Sequence, residues 1–538
     1  MRQLILCCDG TNNNFTGGEA DTHVVRLCEL LVAQGDADQR VFYDPGVGNS
    51  GQLPGATFVD QFRRQSDRIA GLAFGRGVFE NIEEGYRFLM REYRPGDQIF
   101  VFGFSRGAFT ARSIAGLINR FGVLRPESRP MVPTLLHVYF SKDVPGKSDV
   151  TAQQIRRTLA HSFDTAVHFV GVWDTVASVG FKPFQLRLTA KPTLAKKRFI
   201  HVRQALALDE MRSQFMPRLY AEENGTFECA PGHGQGTLEQ LWFRGSHCDV
   251  GGGYAPGSTR LSRQPFAWLV AEAVAKGLRL SHAGQPLDNE AAVLATLPPV
   301  SDAPLVHSEA HRMPLWALAG MSLRRNDRAE IDDMPDPLVR PVEHPSVAAW
   351  PATFPKDTDW RRWNLGKRDA VMLFLLLFCP WAMQYLGGGQ EAVHGFAHWQ
   401  LFWWRDGPVV PWPECQHLLL QLLLDLPFML AWAWFLSSFA VRAFARRAGL
   451  RRANSPRPAW LQLLGRAPMV AVLADVAEDA ASAVVLGLMS YGHGGGLASI
   501  AAVLMSLASA AKWLAIGGTL LLIVSGLLPP RKSRGEPR

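Results

Sequence analysis

One stretch limits what this chain can fold into more than any other. Gln98 to Phe102 is a short apolar run, Gly103-Phe104-Ser105-Arg106-Gly107 follows as G-x-S-x-G, and Ala108, Ala111, Ile114, Ala115 and Ile118 then recur at helical spacing. The order is strand, sharp turn, helix. By itself the five-residue pattern is equally an ordinary glycine-bounded turn. Between a strand and a helix it reads as a nucleophile elbow, in which Gly103 and Gly107 remove side chains that would collide and Ser105 is held out on a strained backbone. The helix beginning behind it aims N–H groups, that of Arg106 first, at developing negative charge.

The same alternation extends from residue 1 to about 285. Leu4 to Cys8, Gln98 to Phe102, Val167 to Trp173 and Leu241 to Phe243 are short apolar runs, each ending in a polar or Gly-bearing turn, with amphipathic stretches between them. This predicts an α/β fold of α/β-hydrolase type with a mostly parallel sheet. Ligands of open α/β sheets bind beyond the carboxyl ends of the strands, so the four turns are expected to converge on one site. The composition, with 47% hydrophobic and 19% charged residues, leaves no room for a wholly disordered chain, a collagen or a coiled coil.

A serine nucleophile needs a base oriented by an acid, and in this fold the order is serine, acid, histidine. Asp174 ends the run Val167 to Trp173, where a strand-end carboxylate belongs; its other reading is a turn or helix-capping acid. His247 follows Leu241 to Phe243 in the small-residue loop Arg244-Gly245-Ser246-His247-Cys248-Asp249-Val250-Gly251, and its other reading is a structural histidine. Asp249 is the rival acid, or else a brace for that loop; the order along the fold favours Asp174. Among rival histidines, His168 falls within a strand pattern, His201 within an expected helix and His233 within a Gly-rich loop. The first strand ends in Cys8-Asp9-Gly10-Thr11-Asn12. Gly10 and Thr11 are candidates for an oxyanion-hole loop, paired with the N–H of Arg106, although a plain Asx turn fits the same residues. Asp9 as a phosphotransferase carboxylate fails because position 11 is Thr, leaving no D-x-D to hold Mg²⁺. Gly146-Lys147-Ser148 resembles the end of a P-loop, but Ser141 stands where its first glycine should be. No metal or cofactor is expected.

Taken together, Leu6 to Asn12, Tyr43-Asp44-Pro45-Gly46-Val47-Gly48, Gly103 to Ala108, Val172-Trp173-Asp174-Thr175-Val176 and Gly245 to Gly252 resemble the catalytic domain of the type VI secretion phospholipase effectors of the α/β-hydrolase kind. The resemblance covers roughly residues 1 to 285. It implies an esterase acting on phospholipid acyl chains, with Ser105, Asp174 and His247 matching the family's triad. It names no secretion-system or immunity partner for this chain. A thioesterase or peptidase using the same three groups is the neighbouring alternative, because a triad specifies acyl transfer and not the acceptor; a catalytically idle interaction module is the other.

The rest of the chain lies outside that motif set. Residues 286–368 are rich in proline and read as an irregular cap or linker without chemistry of their own. From 369 to 538 long apolar runs predict a membrane domain of about four helices: 370–390, 415–441, and two within 468–528 separated by a Gly-rich break at 492–496. Asp425 and Lys512 are costly in lipid and should face other helices or water. The net charge of +8 comes with basic clusters beside these runs, so it reads as membrane orientation and no nucleic acid is expected. Residues 442–466 hold seven arginines and no acid, whereas 391–414 hold one arginine and three acids. That asymmetry places the catalytic domain and the C-terminus on the cytoplasmic side of a multi-pass protein. The N-terminal apolar run is too short for a signal peptide and reads as a strand. The seven cysteines are scattered without a C-x-x-C pair, which predicts neither a disulfide framework nor a zinc ribbon.

Overall fold

The computed structural model describes residues 1–10, 21–46, 72–140, 147–176, 178–179, 186–187, 193–254, 260–298, 306–321, 324, 341–349, 367–386, 412–449, 459–490 and 496–527. Two compact units emerge. One comprises residues 1–210, 214–307 and 324–353, the other 211–213, 308–323 and 354–538.

The first unit is built on an eight-stranded sheet: β1 (Gln3–Cys8), β2 (Gln39–Asp44), β3 (Gln98–Phe104), β4 (Val167–Trp173), β5 (Phe199–Ala207), β6 (Gly225–Glu228), β7 (Gln235–Phe243) and β8 (Val342–Glu343). The order is β8-β7-β5-β4-β3-β1-β2, all parallel, with β6 antiparallel on β7. Among the helices of this unit are α1 (His23–Gln34), α2 (Leu72–Glu92), α3 (Arg106–Phe121), α4 (His247–Gly251) and α5 (Arg260–Ala275). The two-residue period of the strands divides their side chains between two cores. Leu4, Leu6, Ile99, Val101, Val170 and Val172 pack with residues of α2 and α3. Ile5, Cys7, Phe100, Phe102, Phe169 and Trp173 pack on the other face with residues of α1 and α5. Burying each such side chain is worth about 1.5–3 kcal/mol, so the strand pattern is held by both layers.

The expected sheet is therefore present, with additions. The short run Leu241 to Phe243 is the end of the nine-residue β7. His201, expected in a helix, lies in β5 instead. The apolar positions 199, 200, 202, 205 and 206 fit helical spacing as well as a strand; a place in the middle of the sheet, between β4 and β7, decides for the strand. In the proline-rich segment the chain supplies β8 to the sheet edge.

The second unit is helical, with α6 (Lys367–Leu386), α7 (Trp412–Gly449), α8 (Ala467–Ser490) and α9 (Gly496–Leu527) as its long elements. Met211, Ala317, Met321, Val441, Phe444, Leu461 and Leu522 form one of its cores. Among the described residues, Leu422–Phe444 and Ser499–Ser525 are long and apolar enough to cross a membrane by length and composition. Many of the large apolar side chains of this unit face outward, including Leu377, Leu423, Leu507, Leu514 and Leu521. Several of its described charges, Asp475, Glu478 and Arg442 among them, are buried. The apolar run 468–528 carries Asp475, Glu478 and Asp479 on one face of α8, and Lys512 of α9, expected to face other helices or water, pairs with Asp475 at 2.8 Å and with Glu478.

Candidate active site

Because β1, β3, β4 and β7 are parallel, their carboxyl ends open on one edge of the sheet, and the residues that follow them meet there. Ser105 lies between β3 and α3 with φ 58° and ψ −120°. Asp174, one residue past β4, has φ 43°. Side chains rarely tolerate such backbones, which cost about 1–3 kcal/mol each and persist only where the surroundings enforce them. At Ser105 the enforcement is visible. Its N–H donates to Trp173 O at 3.1 Å, and a Cβ on Gly107 would lie 2.2 Å from Cys8 O and 2.3 Å from Asp9 O, so only glycine lets the turn approach β1. A Cβ on Gly103 would likewise meet Gly107 O at 2.5 Å.

His247 is the first residue of α4, whose N-cap Ser246 and Asp249 form a capping box. Its Nε2 lies 2.7 Å from Ser105 Oγ and its Nδ1 2.5 Å from Asp174 Oδ2. The imidazole packs against Phe104, with ring centroids 4.7 Å apart, and edge-on against Phe215 at 5.0 Å. Both Asp174 and His247 are buried. Burial would raise the Asp174 pKa, but the Arg324 charge and the bond to His247 outweigh it and hold the carboxyl below its usual range. The arrangement can move a proton from Ser105 Oγ to an imidazole whose tautomer is fixed by a buried carboxylate.

Asp249 does not reach the imidazole. Its Oδ2 accepts from Ser246 N at 2.8 Å and from His307 N at 2.9 Å, and its Oδ1 lies 2.8 Å from His307 Nδ1. Burial raises its pKa against these bonds. Of the other histidines, His168 in β4 has its Nε2 2.7 Å from Lys276 O, and His201 has its Nδ1 2.9 Å from Thr237 Oγ1. Burial lowers the pKa of both, that of His201 to about 4.

The loop after β1 is anchored through Asp9. Its carboxylate accepts from Gly10 N at 2.6 Å, Thr22 Oγ1 at 2.9 Å and Tyr43 Oη at 2.9 Å. Burial first, and the Asp9 charge second, raise the Tyr43 pKa and keep the phenol a donor. Gly10, expected as an oxyanion donor, thus has its N–H turned to Asp9; Thr11 lies outside the described residues. Arg106 begins α3 as expected. No group of three or more His, Cys, Asp or Glu that could hold a metal occurs among the described residues.

Sequence reasoning missed Arg324, Phe215 and the partners of Asp9. Tyr43 belongs to the motif Tyr43 to Gly48, but no local pattern marks Arg324 or Phe215.

The fold is α/β with a mostly parallel sheet, and at its carboxyl edge Ser105, His247 and Asp174 are joined in one line of side-chain contacts. The chain belongs to the family described as T6SS, phospholipase effector Tle1-like, catalytic domain, whose family model matches residues 2–272. An uncharacterized protein of Saccharomyces cerevisiae (strain ATCC 204508 / S288c), YEL023C, is 32% identical over 225 residues, 40% of this chain. The chain spans 32% of that relative's length.

Proposed function

We propose that this chain is a membrane-anchored serine hydrolase that cleaves phospholipid acyl esters through Ser105, His247 and Asp174. The observation that carries the reading is the continuous relay of 2.7 Å from Ser105 Oγ to His247 Nε2 and 2.5 Å from His247 Nδ1 to Asp174 Oδ2. In the proposed reaction Ser105 Oγ attacks the ester carbonyl as His247 takes its proton. The oxyanion is met by the N–H of Arg106 at the start of α3, with Gly10 contributing once its N–H leaves Asp9. His247 then protonates the departing alcohol, and water, activated by the same imidazole, releases the fatty acid. Asp9, Gly103 and Gly107 support the elbow and Asp249 the loop of His247. Residues 1–285 would form the catalytic domain and 286–368 a cap or linker. A fluorophosphonate probe is expected to label Ser105, as read by peptide mapping, and the purified chain to release fatty acid from phosphatidylcholine–phosphatidylethanolamine vesicles. Labelling elsewhere with Ser105 unmodified would reject the reading.

The membrane part of the proposal is four spans within 369–538, with the catalytic domain and C-terminus cytoplasmic. The outward apolar side chains of the helical unit and its inward ion pair support it. In intact cells, an impermeant thiol reagent should modify a single cysteine placed at Gly407 and spare one placed at Ser533, in an otherwise cysteine-free chain. The reverse pattern would overturn the orientation.

A further inference from the structure

Arg324 lies beyond the segment that the family model matches, in a stretch whose sequence carries no recognisable chemistry. Its side chain is 1% exposed and its Nη1 donates to Asp174 Oδ1. The same nitrogen donates to Ala207 O at 3.0 Å, and Nη2 donates to Phe215 O. Asp174 Oδ1 also accepts from Ala207 N at 3.0 Å, while Oδ2 is left to His247. One guanidinium therefore ties together the acid, the end of β5 and the residue whose ring packs on the imidazole.

Burying a guanidinium costs several kcal/mol, and it is tolerated where a carboxylate and carbonyls replace its water. Here the replacement set includes the acid of the relay. We infer that Arg324 is a positioning residue for the relay, fixing the Asp174 carboxylate so that Oδ2 faces His247 and holding the Phe215 wall against the ring. This rests on the proposed Ser105–His247–Asp174 mechanism.

Position and charge have separable consequences. The planar fork reaches a carboxylate and two carbonyls at once; a lysine ammonium keeps the charge but loses the fork. The charge also opposes protonation around the relay. Among the described residues, the charged groups in contact with Asp174 and His247 include Arg324 and Glu210, whose Oε2 accepts from His247 N at 3.3 Å. Without the Arg324 charge, the unopposed carboxylate either stabilises the imidazolium or takes up a proton itself. Either event disables the base, and either moves the acid limb of kcat/KM to higher pH.

The test is the pH dependence of ester hydrolysis by the full chain in mixed micelles, for the parent, Ser105→Ala, Arg324→Met and Arg324→Lys. Arg324→Met should lower the plateau of kcat/KM by about 30-fold or more and move its acid limb up by about one pH unit. Arg324→Lys should keep the parental limb and lose about 3- to 10-fold in kcat, with KM little changed. Parental behaviour of Arg324→Met overturns the inference. So does an equal loss in both variants with an unmoved limb, which would mark a purely structural arginine. If Arg324→Met does not fold, Arg324→Lys decides alone, since a full kcat in that variant excludes positioning by the fork. Turnover that survives Ser105→Ala sinks the underlying mechanism instead, and is read separately.

Discussion

Ser105→Ala is expected to lower ester turnover by about 10³-fold or more while leaving the fold intact. The argument begins with the backbone. Alanine carries the same Cβ as serine and meets the same restriction at φ 58°, so the substitution neither adds nor relieves strain in the elbow. Only Oγ is lost, and with it the group 2.7 Å from His247 Nε2. The ring nitrogen then faces an empty site that a water can enter, and thermal unfolding should be close to that of the parent. Loss of both turnover and fluorophosphonate labelling, with an unchanged melting temperature, is the expected pair of results. Near-parental turnover would end the serine mechanism.

The second large effect separates the two aspartates. His247→Ala should be nearly as damaging as loss of Ser105, because no other histidine occupies the place between Ser105 and Asp174. Asp174→Asn should slow acylation by about 10³- to 10⁴-fold, since the amide presents the wrong partner to the imidazole N–H. It also leaves the buried Arg324 charge unpaired, so this variant is expected to lose stability as well, by about 3–5 kcal/mol. Asp249→Asn should behave differently. Its carboxylate closes a capping box and pairs with His307, so the main expected loss is stability, about 1 kcal/mol. Steady-state kinetics and thermal unfolding on the three variants decide it. If Asp249→Asn abolished turnover and Asp174→Asn did not, the acid would have to be reassigned.

How much of this was legible in the sequence follows from how local each signal is. The elbow could be read because strand, turn and helix are consecutive from Gln98 to Ile118 and each obeys its own periodicity. Asp174 and His247 could be placed because each follows a recognisable strand. Where the spacing was ambiguous the reading failed. His201 sits among apolar residues that suit either a helix or a strand, and only the neighbours β4 and β7 select the strand. Arg203 in the same strand is buried beside Glu272 at 2.7 Å, a compensation between residues far apart in the chain. Arg324 has the same character: its meaning arises from Asp174, Ala207 and Phe215, all more than a hundred residues away. In the helical unit, averaging over long apolar runs hid Asp475 and Glu478, which become conspicuous once Lys512 is found between them.

The positive φ angles of Ser105 and Asp174 bear on how such a chain could change under selection. At about 1–3 kcal/mol each, the two backbones claim a sizeable part of the ~5–15 kcal/mol that keeps an ordinary domain folded. Glycine at 105 would recover some of that margin and abolish the chemistry, whereas at 174 the gain would be outweighed by the buried Arg324 charge left unpaired. A population selected for heat resistance alone would therefore drift toward glycine at 105 but keep the aspartate that neutralises Arg324, while one held to catalysis must gather its stabilising substitutions elsewhere, in the two cores that flank the sheet.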